Sequence, residues 1–153
     1  MEKRPKKILV ACDCSDYAGP IFEYAVQVAK GTAAQITVVN VINEIPLGHI
    51  QRAMNMYTAF DLDAYVTNLN KDNEASIHAM IRATGRSDLF KKIIIKRGIP
   101  YQVLLEVIAA ENADLVIMGN KGRGNLADTV VGSCARKMFH RCPVALLSVR
   151  VSE

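Results

Sequence analysis

Gly119, Gly122 and Gly124 fall within six residues, and a second small-residue point, Gly132-Ser133, follows Gly122 after nine intervening residues. Glycine leaves no side chain in the way and permits left-handed dihedrals, so consecutive N–H groups can turn toward one point. Ser133 and the residues after it, C-A-R-K-M-F-H, read as a helix that starts on small or hydroxyl side chains. Free N–H groups and the positive end of a helix dipole make an anion site there, most often for phosphate. Glycines of this kind also serve a tight strand-to-loop turn for sterics alone. The presence of both halves at this spacing favours phosphate over that plainer use. No G-x-x-x-x-G-K-[ST] and no G-x-G-x-x-G can be laid on the stretch, so it is neither a Walker loop nor a dinucleotide fingerprint.

Other chemistry finds less support. The three histidines, His49, His78 and His140, all fall outside the carboxyl ends of the strands read below, so a Ser-His-Asp constellation is not indicated. No H-x-x-x-H or C-x-x-C metal spacing occurs. Cys12 and Cys14 are expected to point to opposite faces of a strand. Cys134 follows Gly132-Ser133 at a helix start, where the dipole is expected to favour a thiolate.

These residues need elements to position them, and hydrophobic spacing supplies a set. Lys7 to Asp13 is an apolar run ending in a carboxylate, the pattern of a buried parallel strand. Ile21, Phe22, Ala25, Val28 and Ala29 mark a helix from Tyr17 to Lys30, with Pro20 in its first turn and Gly31 as its stop. Gln35 to Val41 is a second strand. Residues 43–60 read as a loop passing into a helix, because Pro46 and Gly48 interrupt them. A long amphipathic helix then runs from Leu62 to near Gly85. Lys92 to Lys96 is a third strand, and a helix opening at Pro100 ends with Asn112 in a left-handed stop. Asp114 to Met118 is the fourth strand. The helix after the glycines reaches about His140, and Val144 to Val151 closes the chain as a fifth strand. Strands alternating with helices imply an α/β, Rossmann-like fold, an open five-stranded parallel sheet with helices on both faces. In order 3-2-1-4-5 the first and fourth strands flank the switch point, and ligands bind outside the carboxyl ends there. Asp13 and Val41 would then lie beside the glycine loop.

Composition bounds the rest. The 153 residues are half hydrophobic and 22% charged, which suits a single globular domain spanning 1–153. No run approaches the ~18 apolar residues of a membrane span. The basic start, M-E-K-R-P-K-K, precedes an apolar stretch too short for a signal peptide, so a cytoplasmic chain with four reduced thiols is expected. The net charge of +4 rests largely on Lys3, Arg4, Lys6 and Lys7, a solvated tail rather than a nucleic-acid surface.

Three segments together carry a resemblance: K-I-L-V-A-C-D-C-S at 7–15, the G-x-x-G-x₉-G-S spacing, and R-C-P-V-A-L-L-S-V at 141–149. They resemble the ATP-binding subgroup of the universal stress protein family over nearly the whole chain. The resemblance implies adenine and ribose contacts from Asp13 and the backbone of Val41. It implies phosphate contacts from Gly119, Gly122, Gly132 and Ser133, with Met118 and Cys134 lining the pocket. It implies ATP as the ligand and a homodimer through the final strand; Asp13 could help hold Mg²⁺ on the phosphates, although a lone Asp beside a nucleotide more often hydrogen-bonds the ribose or adenine. The chain departs from the family pattern at Cys14, where a D-G-S loop usually has glycine, and at Ile99, where Asp or Ser often caps the third helix. Function is read as a nucleotide-binding regulatory protein of the stress response with at most slow ATP hydrolysis. A nucleotide-independent dimeric interaction module and an ATP-dependent phosphotransferase stand as alternatives, with no nucleic-acid or membrane partner.

Overall fold

A computed structural model describes residues 3–121 and 132–150. Its five strands are β1 (Lys7–Ala11), β2 (Gln35–Asn43), β3 (Phe90–Gly98), β4 (Leu115–Gly119) and β5 (Ala145–Val149). All neighbours pair in parallel, in the order β3-β2-β1-β4-β5. The order and the α/β class are those the sequence predicts. Helices α1 (Gly19–Thr32), α2 (Glu44–Asn55), α3 (Leu62–Ala83), α4 (Pro100–Glu111) and α5 (Ser133–Arg141) make the connections, with a 3₁₀ turn at Ser87–Leu89.

The strands alternate their side chains between two apolar layers. Ile8 and Val10 of β1, Ile36 and Val38 of β2 and Ile117 of β4 pack with Phe22 and Ala25 of α1 and Ile77 and Ile81 of α3. On the other face, Leu9, Val39, Val116 and Met118 pack with Val103, Leu104 and Val107 of α4 and Met138 of α5. Burial on both faces explains why β1 and β4 read as continuous apolar runs. Asp114 fastens the lower end of this sheet: its Oδ2 accepts the Lys6 and Lys7 N–H groups at 2.9 and 3.0 Å.

Several local expectations are corrected. β1 stops at Ala11, and Cys12, Asp13 and Cys14 form the loop beyond it. Gly31 is not the stop of α1; the helix runs to Thr32 and Ala33 takes the left-handed turn at φ 56°. Residues 44–55 form a full helix, because the Asn43 side chain accepts the Ile45 N–H at 3.1 Å and Pro46 falls in the first turn, where a missing N–H is harmless. β3 is longer than expected at both ends, and β5 is shorter. Cys12 and Cys14 do not diverge. Both enter the layer under α1 and α3: Cys12 continues the face of Ile8 and Val10, and Cys14 is turned inward from the loop at a left-handed φ of 59°. Asn112 is left-handed at φ 53°, and Ile99 provides no side-chain cap to α4, both as expected.

Candidate functional site

The carboxyl ends of β1 and β4 lie side by side, with Val10 opposite Ile117. β1 continues toward β2, through the Cys12 N–H to Val39 O, and β4 toward β5, through the Asn120 N–H to Val149 O, the divergence outside which open α/β sheets form a ligand crevice. On the β4 side, Asn120 donates its N–H to Val149 O at 3.1 Å, and Gly132 donates its own to Asn120 O at 2.8 Å. Gly132 is thereby tied back to the end of β4, next to Gly119, although thirteen positions separate the two in sequence. Gly132 is the N-cap of α5 at φ −60° and ψ 151°, and no side chain caps the helix. The first-turn N–H groups of Ser133 and Cys134 therefore face outward from the end of the sheet without a side-chain acceptor. Ser133 is exposed, while Gly119 and Gly132 are buried. Gly122 and Gly124 lie outside the described residues.

On the β1 side, Asp13 is half-buried. Its Oδ1 accepts the Ser15 N–H at 3.0 Å, an Asx turn that orients the carboxylate. Its Oδ2 is buried and has no hydrogen-bond partner among the described residues. A buried carboxylate oxygen without a donor carries the full desolvation cost of that atom. Asp13 stands close enough to α5 for its charge to act on the Cys134 thiol.

Val41 is placed by the ladder. Val39 accepts the Cys12 N–H at 2.8 Å, and alternation turns the backbone of Val41 to the same side. Pairing of β1 with β2 ends at Ala11 and Val39, so no β1 residue stands opposite Val41. Met118 is buried in the layer under α4 and α5, where Cys134 also packs. The expected thiolate is corrected here. Burial outweighs the nearby Lys137 ammonium, and the Cys134 thiol is pushed up to about 11. The four cysteines are unbridged.

Two site-building residues escaped the sequence reading. Asn40 and Asn73 are buried, at 2% and 6% exposure. Asn40 Nδ2 donates to Cys12 O at 2.9 Å, and Asn73 Nδ2 donates to Asn40 Oδ1 at 3.0 Å. The signal was in the spacing. Asn40 is in phase with buried Ile36, Val38 and Ile42, and Asn73 is in phase with Ile77 and Ile81. A polar residue on an apolar stripe marks a place that needs a hydrogen bond.

A separate depression of about 210 Å³ lies at the amino end of the strands, lined by Lys7, Lys91, Lys92 and Glu111 among others. It is small for a nucleotide, and its Lys92 is already paired with Glu111 at 2.8 Å. Among the described residues, no group of three His, Cys, Asp or Glu is gathered to hold a metal, and no helix is long and apolar enough to cross a membrane.

A doubly wound parallel sheet with a carboxylate and an uncapped helix start on the two sides of its switch point defines a class of small α/β proteins. Within that class the chain belongs to the universal stress protein family, whose model matches residues 5–150. A protein of Staphylococcus aureus (strain USA300) named for the same family is 29% identical over 151 residues, covering 97% of this chain and 86% of that one. Among solved structures, the protein MJ0577 is similar at a TM-score of 0.80 and 21% identity, covering 99% of each chain. The universal stress protein UspA from Lactobacillus plantarum is similar at a TM-score of 0.71 and 21% identity, covering 97% of this chain and 100% of that one. A universal stress protein in complex with cAMP is similar at a TM-score of 0.60 and 19% identity, covering 98% of this chain and 100% of that one.

Proposed function

We propose that the chain is an adenine-nucleotide-binding regulatory protein, with ATP as its ligand, that acts in the stress response as a homodimer. The observation that carries this reading is the buried Oδ2 of Asp13, oriented by Ser15 and left without a donor at the switch point. An ionised carboxylate only accepts hydrogen bonds. It selects donors such as ribose hydroxyls or the adenine amino group, and it repels phosphate. The nucleoside therefore belongs at Asp13 and the open backbone edge of Val41. The phosphates belong across the crevice at Gly119, Gly122, Gly132 and Ser133, where N–H groups and the α5 dipole favour negative charge. Mg²⁺ would travel on the phosphates. A similar protein in complex with cAMP supports the adenine class. Hydrolysis is at most slow, since His49, His78 and His140 are exposed on helices α2, α3 and α5 rather than lodged in the crevice.

Mass spectrometry of whatever small molecule copurifies with the protein, followed by calorimetry with ATP, AMP and cAMP, tests the reading. ATP is expected to copurify or to bind with micromolar or tighter affinity. Protein that purifies empty and shows no heat with any of the three overturns it.

A further inference from the structure

We propose that Asn73 of α3, acting through Asn40, is a positioning residue for the nucleoside end of the site. The inference rests on the nucleotide reading above and adds to it a part played by a helix that otherwise packs on the back of the sheet.

The chain of contacts is continuous. Asn73 donates to Asn40, and Asn40 donates to the carbonyl of Cys12, the last ladder position before Asp13. That carbonyl would otherwise lose its acceptor role, because β1 stops pairing at Ala11. Asn73 reaches the other side of Asp13 as well: its own carbonyl takes the Cys14 thiol at 3.8 Å, and the Cys14 N–H returns to Cys12 Sγ at 3.4 Å. Cys14 is held left-handed at φ 59°, a conformation that persists in a non-glycine residue only where its surroundings impose it. Cys12 and Cys14, on both sides of Asp13, are thus both tied to position 73, Cys12 through the amide side chain by way of Asn40 and Cys14 through the main-chain carbonyl. Only then does the Asx turn to Ser15 fix which oxygen of Asp13 is left over.

Stability alone does not account for the two amides. α3 buries three residues along 22, and the other two, Ile77 and Ile81, are apolar. An apolar pair of similar shape in place of two buried, mutually bonded amides is commonly neutral or stabilising. What the amides add is a fixed geometry for the Cys12 carbonyl, and through it for the carboxylate.

The experiment compares Asn73→Ala and the milder Asn73→Ser with Ile77→Ala, one turn further along the same helix. Ile77 fills the same layer with a side chain that makes no hydrogen bond, so it controls for lost packing. Below the melting transition, Asn73→Ala is expected to weaken ATP binding at least tenfold by calorimetry and to speed amide hydrogen exchange at Cys14 and Ser15 in the nucleotide-free protein. Asn73→Ser is expected to change both in the same direction by less. Ile77→Ala is expected to lower Tm yet leave ATP affinity within twofold. If the wild-type chain binds no adenine nucleotide, the functional reading fails and this inference with it. If the wild type binds and folded Asn73→Ala and Asn73→Ser keep its affinity, or keep its Ser15 exchange rate, only the positioning role is overturned. Equal loss of affinity in Ile77→Ala assigns the effect to packing and also overturns it.

Discussion

Cys14 concentrates the strain of the site. At φ 59° it stands where the family's loop usually has glycine, and a left-handed non-glycine residue costs roughly 1–3 kcal/mol. The side chain offsets part of that cost through burial and the thiol contact with the Asn73 carbonyl. The two effects are separable. Cys14→Ala keeps the strain and loses the contact, and is expected to destabilise the fold by ~1–2 kcal/mol in urea denaturation. Cys14→Gly loses the same contact but releases the strain, so it should be the more stable of the two. An alanine variant as stable as the glycine variant would show that the loop is not strained. Gly132 is glycine for a different reason. Its φ of −60° is open to any residue, but it is buried at the helix start that faces the proposed phosphates. Gly132→Val is expected to cost ~2–4 kcal/mol of ATP binding, tenfold or more in Kd, while the fold survives. Calorimetry on a folded variant that binds ATP as tightly as wild type would remove Gly132 from the site.

At the scale of elements, one carboxylate fastens the sheet from the end opposite the site. Asp114 accepts two backbone N–H groups from the start of β1, and its own N–H goes to Lys7 O at 2.8 Å. The Lys6 and Lys7 N–H groups hold its carboxyl below the ordinary carboxylate range, with Lys3 and Lys7 charges adding to the effect. A lowered carboxyl stabilises the fold at all pH values above its unfolded pKa, and that stability is lost as pH falls through the lower, folded value. Asp114 is partly exposed, so solvent screening keeps the effect small. Asp114→Asn should therefore lower Tm slightly at neutral pH, and the gap from wild type should close in acid. A gap that is constant from neutral pH down to strong acid would contradict the linkage. The element scale is also where the sequence was most legible. Apolar runs gave the strands, since burial on both faces writes itself directly into β1 and β4, whereas the order 3-2-1-4-5 was supposed from the alternation of strands and helices rather than read from any residue. What it hid were positions decided by contacts distant in sequence. Pro46 and Gly48 look like loop residues until Asn43 is known to cap α2. Gly31 looks like a stop because nothing local says that Ala33 will turn instead. Asn40 and Asn73 each mark a need for a hydrogen bond on an apolar stripe, but neither names its partner 33 positions away. In the candidate site, Asp13, Gly119 and Gly132 were readable from types and spacing, whereas the protonated state of Cys134 depended on a burial that no local pattern encodes.

At the scale of the molecule, the sheet has two edges among the described residues, and they are unlike. β3 reads F-K-K-I-I-I-K-R-G, with Lys91, Lys92, Lys96 and Arg97 exposed along it, the kind of charged edge that resists pairing with another chain. β5 reads A-L-L-S-V and carries no charge at all. The proposed homodimer forms there, since a two-fold pairing satisfies both open edges at once. The backbone indicates which positions matter. Val149 turns its carbonyl inward to Asn120, and alternation then turns Ala145 and Leu147 inward as well, leaving Leu146 and Ser148 facing the open side. Proline at Leu146 or Ser148 removes an outward donor and leaves the bonds to β4 in place. Leu146→Pro or Ser148→Pro is expected to convert a dimer into a monomer by light scattering at micromolar concentration, with the helical circular dichroism signal retained. Proline at Leu147, whose N–H belongs to the β4 ladder, should instead lower Tm. A wild-type chain that scatters as a monomer at that concentration would refute the β5 dimer, and ATP binding by the crevice would then have to be complete within one chain.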